Sequence, residues 1–446
     1  MRDLALLMIF LGLLVPSFFL PHVGVLTWAW IAFMNPHRET YGFAYDQPFN
    51  KMVAIATIVA WLISREPKRI PMNSTVLVVG LFALWTTLTT ATALVPGHSW
   101  DLWQRNLTTV ALVFVIVSVM QNRVRLHALI WVIVISIGFY GVKGGAFTII
   151  TGGQYKVLGP ADTMIGDNNV VALAMVLVLP LINYLRLHTE EKWIRLALMG
   201  AGGLTIIAVI GTYSRGGLVA LAALILFFIL KSKEKFKFLI LLPLLLIPAI
   251  FFMPEKWFGR AETISEYEED RSFQSRIDAW TASFNLAKAR PLVGGGFSAI
   301  ENRRIFMAYN PSAVYTQDRG RAAHSIYFQV LGDHGFVGFG LFMMVALIGW
   351  LNARWIIART KGREDLVWAR DLSSMIQVSL FVFFVAGGAL SLAYYDVYFA
   401  LLAVLANLRM LVTQTVKAEA KASRSRSPML RPRVAPAHRR KPIGPG

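Results

Sequence analysis

The sequence predicts an all-α polytopic integral membrane protein of about twelve spanning helices, with one large helical loop on the outer side. Three observations lead there. First, 56% of the 446 residues are hydrophobic and only 15% are charged, whereas a soluble domain carries about a quarter charged. A soluble fold of this length cannot hide so much apolar sequence. Second, apolar runs recur at 4–34, 50–64, 74–95, 105–120, 126–142, 168–187, 194–212, 216–230, 236–253, 336–352, 373–392 and 396–412. Most approach the roughly 17–25 residues that a membrane-crossing helix needs. Third, the basic residues gather in alternate connections between these runs.

The first run is too long for one straight helix and contains Pro16 and Pro21. It reads as one kinked crossing, with two short helices as the alternative. It does not read as a cleavable signal peptide, because its apolar stretch is too long and no small-x-small site follows. The next connections carry Arg65, Lys68 and Arg69, then Arg123 and Arg125, then Arg186, Lys192 and Arg195. Lys231, Lys233, Lys235 and Lys237 follow, and then Arg354, Arg359, Lys361, Arg363 and Arg370. The intervening short connections are nearly free of Lys and Arg. By the positive-inside rule the basic set is cytoplasmic. A net charge of +19 is thus accounted for by inner loops. With Met1–Asp3 inside, residues 36–49 are outside and both ends of the chain are cytoplasmic. The two-helix alternative makes thirteen crossings with the N-terminus outside.

Four regions follow. Residues 1–253 form an N-terminal bundle of about nine helices, residues 254–335 the large outer loop, and residues 336–413 the last spanning helices. Residues 414–446 form a basic, disordered cytoplasmic tail that touches anionic membrane lipid. The tail has no aromatic residues on which bases could stack, so no nucleic-acid partner is expected. Within the outer loop, Ala261 to Lys288 reads as a helix ended by Pro291 and Gly294-Gly295-Gly296. A second short helix is predicted from His324 to Leu331, stopping at Gly332.

The absence of cysteine excludes disulfides, thiolate metal sites and thiol nucleophiles. No spacing for a metal site or a nucleotide P-loop occurs, so no metal and no cofactor are expected. Ionisable residues at the edge of a membrane bundle are functional candidates. Arg215, in Gly211-Thr-Tyr-Ser-Arg-Gly-Gly217, lies at the outer N-terminal end of a spanning helix. Free N–H groups, a positive dipole end and a forked guanidinium together suit a phosphate or pyrophosphate. Its plain alternative is an interfacial anchor. Arg276, in Ser275-Arg-Ile-Asp-Ala-Trp280, is on the loop helix, with a same-helix pair to Glu269 or Asp270 as alternative. His324 begins the second loop helix, and His334 is too far along for helical metal-ligand spacing. Asp396 follows Tyr394-Tyr395 at the last outer turn, where it can also cap a helix. The topology places all four on the outer side, from four separate segments. Two cations, a titratable base and a carboxylate meeting there suit transfer chemistry on a lipid-linked phosphate.

His324-Ser325, nine residues, Gly335, two residues and Gly338 resemble the periplasmic-loop signature of bacterial O-antigen ligases. Those enzymes share a superfamily with O-antigen polymerases and protein O-oligosaccharyltransferases. Tyr213-Ser214-Arg215-Gly216, Arg276 four residues before Trp280, and Pro291-Leu-Val-Gly-Gly-Gly296 agree, over roughly residues 165–412. Trp28-Ala-Trp30 and Asn35-Pro36-His37 also resemble putative O-glycosylation ligases found beside exosortase systems.

The resemblance implies a GT-C-like glycosyltransferase of the bacterial inner membrane with its site facing the periplasm. The donor would be a glycan on undecaprenyl pyrophosphate and the acceptor a sugar hydroxyl of lipid A–core. It implies His324 as general base, Arg215 and Arg276 as pyrophosphate ligands, and Asp396, Lys143 and Arg105 in secondary roles. A polymerase of lipid-linked repeats and a ligase onto protein remain alternatives. A transporter of charged lipid or glycan is the reading from another class. It would place its charges near mid-membrane, whereas these sit at one face.

Overall fold

The computed structural model describes residues 1–66, 68, 71–231, 265–313 and 320–426, with side chains of 265–273 and 423–426 excepted. The described residues form fourteen α-helices and two short 3-10 turns. In chain order the helices are α1 Arg2–Phe19, α2 Pro21–Met34, α3 Phe49–Ile63, α4 Ser74–Ala91, α5 Pro96–Val119, α6 Arg123–Ile150 and α7 Asn168–Leu187. They continue with α8 Lys192–Gly211, α9 Arg215–Lys231, α10 Ser265–Ala289, α11 Arg303–Tyr309, α12 Ile326–Arg359, α13 Val367–Gly387 and α14 Asp396–Arg426. Nine of these are long and apolar enough to cross a membrane, and α2 and α3 are shorter apolar helices. The chain is a polytopic, all-helical membrane protein. The apolar run at 236–253, with Lys233, Lys235 and Lys237, lies outside the described residues.

Burial separates central helices from peripheral ones. Residues 171–182 of α7 and 397–408 of α14 are buried without a break. A helix that is apolar on every side must be surrounded by protein or lipid, and here α7 packs on α6, α8, α9 and α13. α1 and α8 instead leave large apolar side chains such as Met8, Phe19, Trp193 and Met199 exposed, the surface expected to face lipid.

Charged connections collect at one end of the bundle. Arg125 and Glu66 pair at 2.6 Å, Arg363 bridges Asp365 and Glu419, and His188 meets Asp371 at 3.1 Å. Asn73 and Asn122 cap α4 and α6 there, each side chain accepting a first-turn N–H. The opposite end holds the 40–48, 92–95, 151–167, 212–214 and 388–395 connections and the ordered parts of the large loop. The alternation of basic connections read from the sequence is thus an alternation of ends in the fold.

The N-terminus corrects one expectation. Asp3 Oδ1 accepts the N–H groups of Gly42 at 3.1 Å and Ala44 at 3.0 Å, and Arg2 stands over the Tyr41 ring. At the break between α1 and α2, the charges of Arg125 and Glu66 act on His22. Residues 4–34 therefore run to the basic end and back as a hairpin. A single crossing, with Met1–Asp3 and residues 36–49 on opposite sides, does not fit. The cause is local: Pro21 lacks the N–H to continue α1 but suits the first position of α2.

Two boundaries also move. The short helix predicted at 324–331 and the span predicted at 336–352 are one element, α12, broken at Gly335 rather than Gly332. α14 continues through Arg426, into the segment assigned to a disordered tail, and its Glu419 binds Arg363. Residues 427–446 lie outside the described residues.

The native chain has no cysteine, so single probes can be placed at the exposed positions Arg2, Arg304 and Lys421. In intact cells an impermeant thiol reagent is expected to label Arg2→Cys and Arg304→Cys and to spare Lys421→Cys. If Arg2→Cys behaved like Lys421→Cys, the hairpin would be wrong. If Lys421→Cys alone were labelled, the whole orientation would be reversed.

Candidate functional site

The loop helix α10 is docked on the bundle by the segment that follows it. Gly295 and Gly296 donate their N–H groups to the carbonyls of Gly332 and Asp333, each at 2.9 Å, and Phe336 N–H returns to Pro291 O at 2.8 Å. Leu94 N–H bonds Gly295 O on the other side. Gly335 accepts this turn by leaving the helix, with φ 67° and ψ −170°. A Cβ there would stand 2.6 Å from the carbonyl oxygens of Pro291 and Leu292, so only glycine fits both the dihedral and the contact. The two glycines of the His324–Gly338 pattern are thus structural. Gly338 lies under His334, where a Cβ would be 2.2 Å from the His334 Cβ.

Those contacts fix α10 relative to His324. Trp280 Nε1 donates to Ala323 O at 2.8 Å, and its ring stacks on Phe328 with centroids 5.1 Å apart. Arg276 is four residues earlier, about one turn along the same helix face, and is half-buried. Arg215 is the first residue of α9 and is exposed. Its turn is built by a left-handed Tyr213, φ 54°, and by Ser214, whose Oγ accepts the Gly217 N–H at 2.9 Å. This is N-capping geometry.

His324 adopts φ 46°, and its N–H bonds Ser391 Oγ at 2.7 Å. Its backbone is thereby tied to the last inter-helix connection while the side chain stays open to solvent. Protein mass around the ring still withdraws water. This desolvation, followed by the positive charge of Arg276 and, more weakly, of Arg321, pulls its pKa below the ordinary 6.5. Asp167 acts in the opposite direction. Arg276 is in turn pulled down by its own burial and by the charge of Arg215. Arg215, Arg276 and His324 therefore share one electrostatic site, assembled from α9, α10 and the start of α12. Two guanidiniums suit an anion, and the exposed imidazole, neutral near pH 7, can take a proton.

Residues 200–343 match the family model described as O-Antigen ligase. Residues 200–343 thus form an O-antigen ligase family region. The matched region contains Arg215, Arg276, His324 and both glycines of the kink. Residues 1–190 match a second model, described as a family of unknown function. A comparison with curated proteins finds no match.

Other charged candidates stand elsewhere. Asp396 accepts a hydrogen bond from Thr109 Oγ1 on α5, a contact between helices rather than with the arginines. Lys143 pairs with Glu39 at 2.5 Å, and Arg105 is exposed on α5. The ligase-family region also holds a second histidine, His334, which is fully buried. Its Nδ1 is 2.7 Å from Thr89 Oγ1, and Phe82, Phe297 and Tyr394 surround it. Neighbouring Asp333 accepts from the Ser298 N–H at 2.8 Å and from Tyr394 OH at 2.9 Å. The pair locks loop to bundle and does not reach solvent. His324 is the histidine a ligand can meet.

Sequence reasoning missed Asp167, Arg321 and the Asp333–His334 lock. Asp167-Asn168-Asn169 before an apolar run carried a signal, that of a helix N-cap. Nothing in the sequence brought it near His324.

Proposed function

We propose that this protein transfers a glycan from undecaprenyl pyrophosphate to a hydroxyl acceptor, a sugar of lipid A–core, on the periplasmic side of the bacterial inner membrane. The observation that carries the reading is the shared site of Arg215, Arg276 and His324. Two cations face an exposed, neutral base at the end of the bundle opposite the basic connections. In the reaction the acceptor oxygen attacks the anomeric carbon of the donor glycan. The bond from that carbon to the pyrophosphate oxygen breaks, and the leaving oxygen keeps the electron pair. Arg215 and Arg276 stabilise the growing charge on pyrophosphate, and His324 takes the acceptor's proton. That proton then passes to solvent, which restores the base. Asp396 and Lys143 have no step here, since their partners lie outside this set, and neither has Arg105, exposed on α5. Anionic lipid is the further partner expected of the basic end, and no nucleic acid is required.

The resemblance of Trp28-Ala-Trp30 and Asn35-Pro36-His37 to O-glycosylation ligases favours, as a second reading, a protein hydroxyl as acceptor. The experiment that tests both supplies purified protein with lipid-linked glycan and, in parallel, lipid A–core, a protein acceptor, or neither. A larger glycolipid supports the first reading and a glycosylated protein the second. Chain growth without added acceptor would mark a polymerase, and no transfer of any kind would overturn the enzyme reading.

Transfer is expected to proceed at full rate in EDTA. Pyrophosphate leaves toward two guanidiniums, and among the described residues no three His, Asp or Glu side chains cluster as metal ligands do. The acidic side chains of Glu266, Glu268, Glu269 and Asp270 lie outside the described ones. Activity lost in EDTA and restored by magnesium or manganese would refute the expectation and give the leaving-group role to a metal.

A further inference from the structure

The start of α7 lies outside the O-antigen ligase match, within the region matched only by a family of unknown function. Yet two consecutive side chains there reach the arginine turn, and a third, just before them, holds the second in place. Asp167 Oδ1 accepts both the Asn169 N–H, at 2.8 Å, and the Asn169 side-chain amide, at 3.0 Å. Asn169 Oδ1 then accepts from Ser214 Oγ at 2.7 Å. Ser214 Oγ is the atom that caps the first turn of α9, so the chain of bonds ends on the backbone that carries Arg215. Asn168 Nδ2 donates to Thr212 O at 3.0 Å, one residue before the left-handed Tyr213. The turn is therefore held on both sides of its strained residue.

We propose that Asp167, Asn168 and Asn169 are positioning residues of the transfer site. The two asparagines aim Arg215 through the Thr212–Ser214 turn, and Asp167 anchors Asn169. The assignment rests on the proposed donor chemistry for its ligand and gives the N-terminal region a direct part in the site.

The geometry explains why such a brace is needed. A left-handed non-glycine residue costs free energy and persists only where its surroundings over-determine it. An arginine that must present a fork to pyrophosphate gains when its backbone cannot drift.

The test uses the full-length protein in detergent micelles, with undecaprenyl pyrophosphate as the binding probe. Asn169→Ala is expected to weaken its binding about tenfold, the scale of about 1.4 kcal/mol. In an Arg215→Ala background the same substitution is expected to change little, because its effect runs through that arginine. Equal losses in both backgrounds would make Asn169 a mere support of α7 and overturn its role. Asp167→Asn keeps an acceptor for Asn169 and should bind the probe nearly as the wild type does, whereas Asp167→Ala should weaken binding about as much as Asn169→Ala. A loss in Asp167→Ala that stayed at full size in the Arg215→Ala background would overturn the Asp167 role. Absence of probe binding by the wild-type protein would instead overturn the donor reading, and with it the positioning role.

Discussion

His324→Ala is expected to lower glycan transfer by about 10²–10⁴-fold while leaving undecaprenyl pyrophosphate binding nearly intact. A sugar hydroxyl is a poor nucleophile at neutral pH, whereas pyrophosphate leaves without strong acid help, so proton removal from the acceptor is where a base contributes most. The pH dependence follows from the lowered pKa of His324. Its neutral, proton-accepting form dominates above a midpoint below 6.5, so the wild-type rate should rise through that acidic range and level off near neutrality. The limb should be absent in His324→Ala. Arg276 is one of the charges that lowers the pKa, so Arg276→Ala should move the limb upward. If His324→Ala lost donor binding and kept its turnover, His324 would be a donor ligand. The base would then have to be sought among other groups at this end of the bundle.

Arg215→Ala is expected to reduce transfer by about 10²–10³-fold, the scale for removing one preorganised donor to developing negative charge. Arg215→Lys should recover only part of this, since an ammonium keeps the charge but not the forked geometry. The same ordering is expected at Arg276, where half-burial against α12 adds a folding cost to the alanine variant. Thermal stability should therefore be measured beside transfer, and Arg276→Lys serves as the variant that preserves packing. Full activity in Arg215→Ala would reduce that residue to a membrane anchor. Full activity in a folded Arg276→Ala would leave its charge as a tuner of His324 alone.

Much of the architecture was legible because its causes are local. Apolar runs long enough to cross a bilayer must be helices, since no other open structure satisfies backbone hydrogen bonds in lipid. The alternate clusters of Lys and Arg marked the ends. Arg215 could be placed at a helix start from the turn Gly211-Thr-Tyr-Ser-Arg-Gly-Gly217 between two apolar runs. The N-terminal hairpin was open between two readings. Pro21 signals a break but not the direction taken after it, and the contact of Asp3 with the 42–44 loop is one that no local pattern encodes. Gly335 was similarly ambiguous. Gly332 and Gly335 are equally good helix breakers, and the carbonyls of Pro291 and Leu292, more than forty residues earlier, select the second.

The sequence by itself determined the fold class and the two ends of the bundle and singled out Arg215, Arg276 and His324 as candidates, because periodicity, charge asymmetry and helix-start chemistry act over a few residues. The tertiary structure decided which of these groups share a field. It docked α10 against the start of α12 through the glycine turn at 294–296, and it buried His334 while leaving His324 open. It also added Asp167 from a helix that the sequence had shown only as a span. Electrostatic coupling depends on separation and on the water removed between groups, and both are properties of the packed chain rather than of any segment of it.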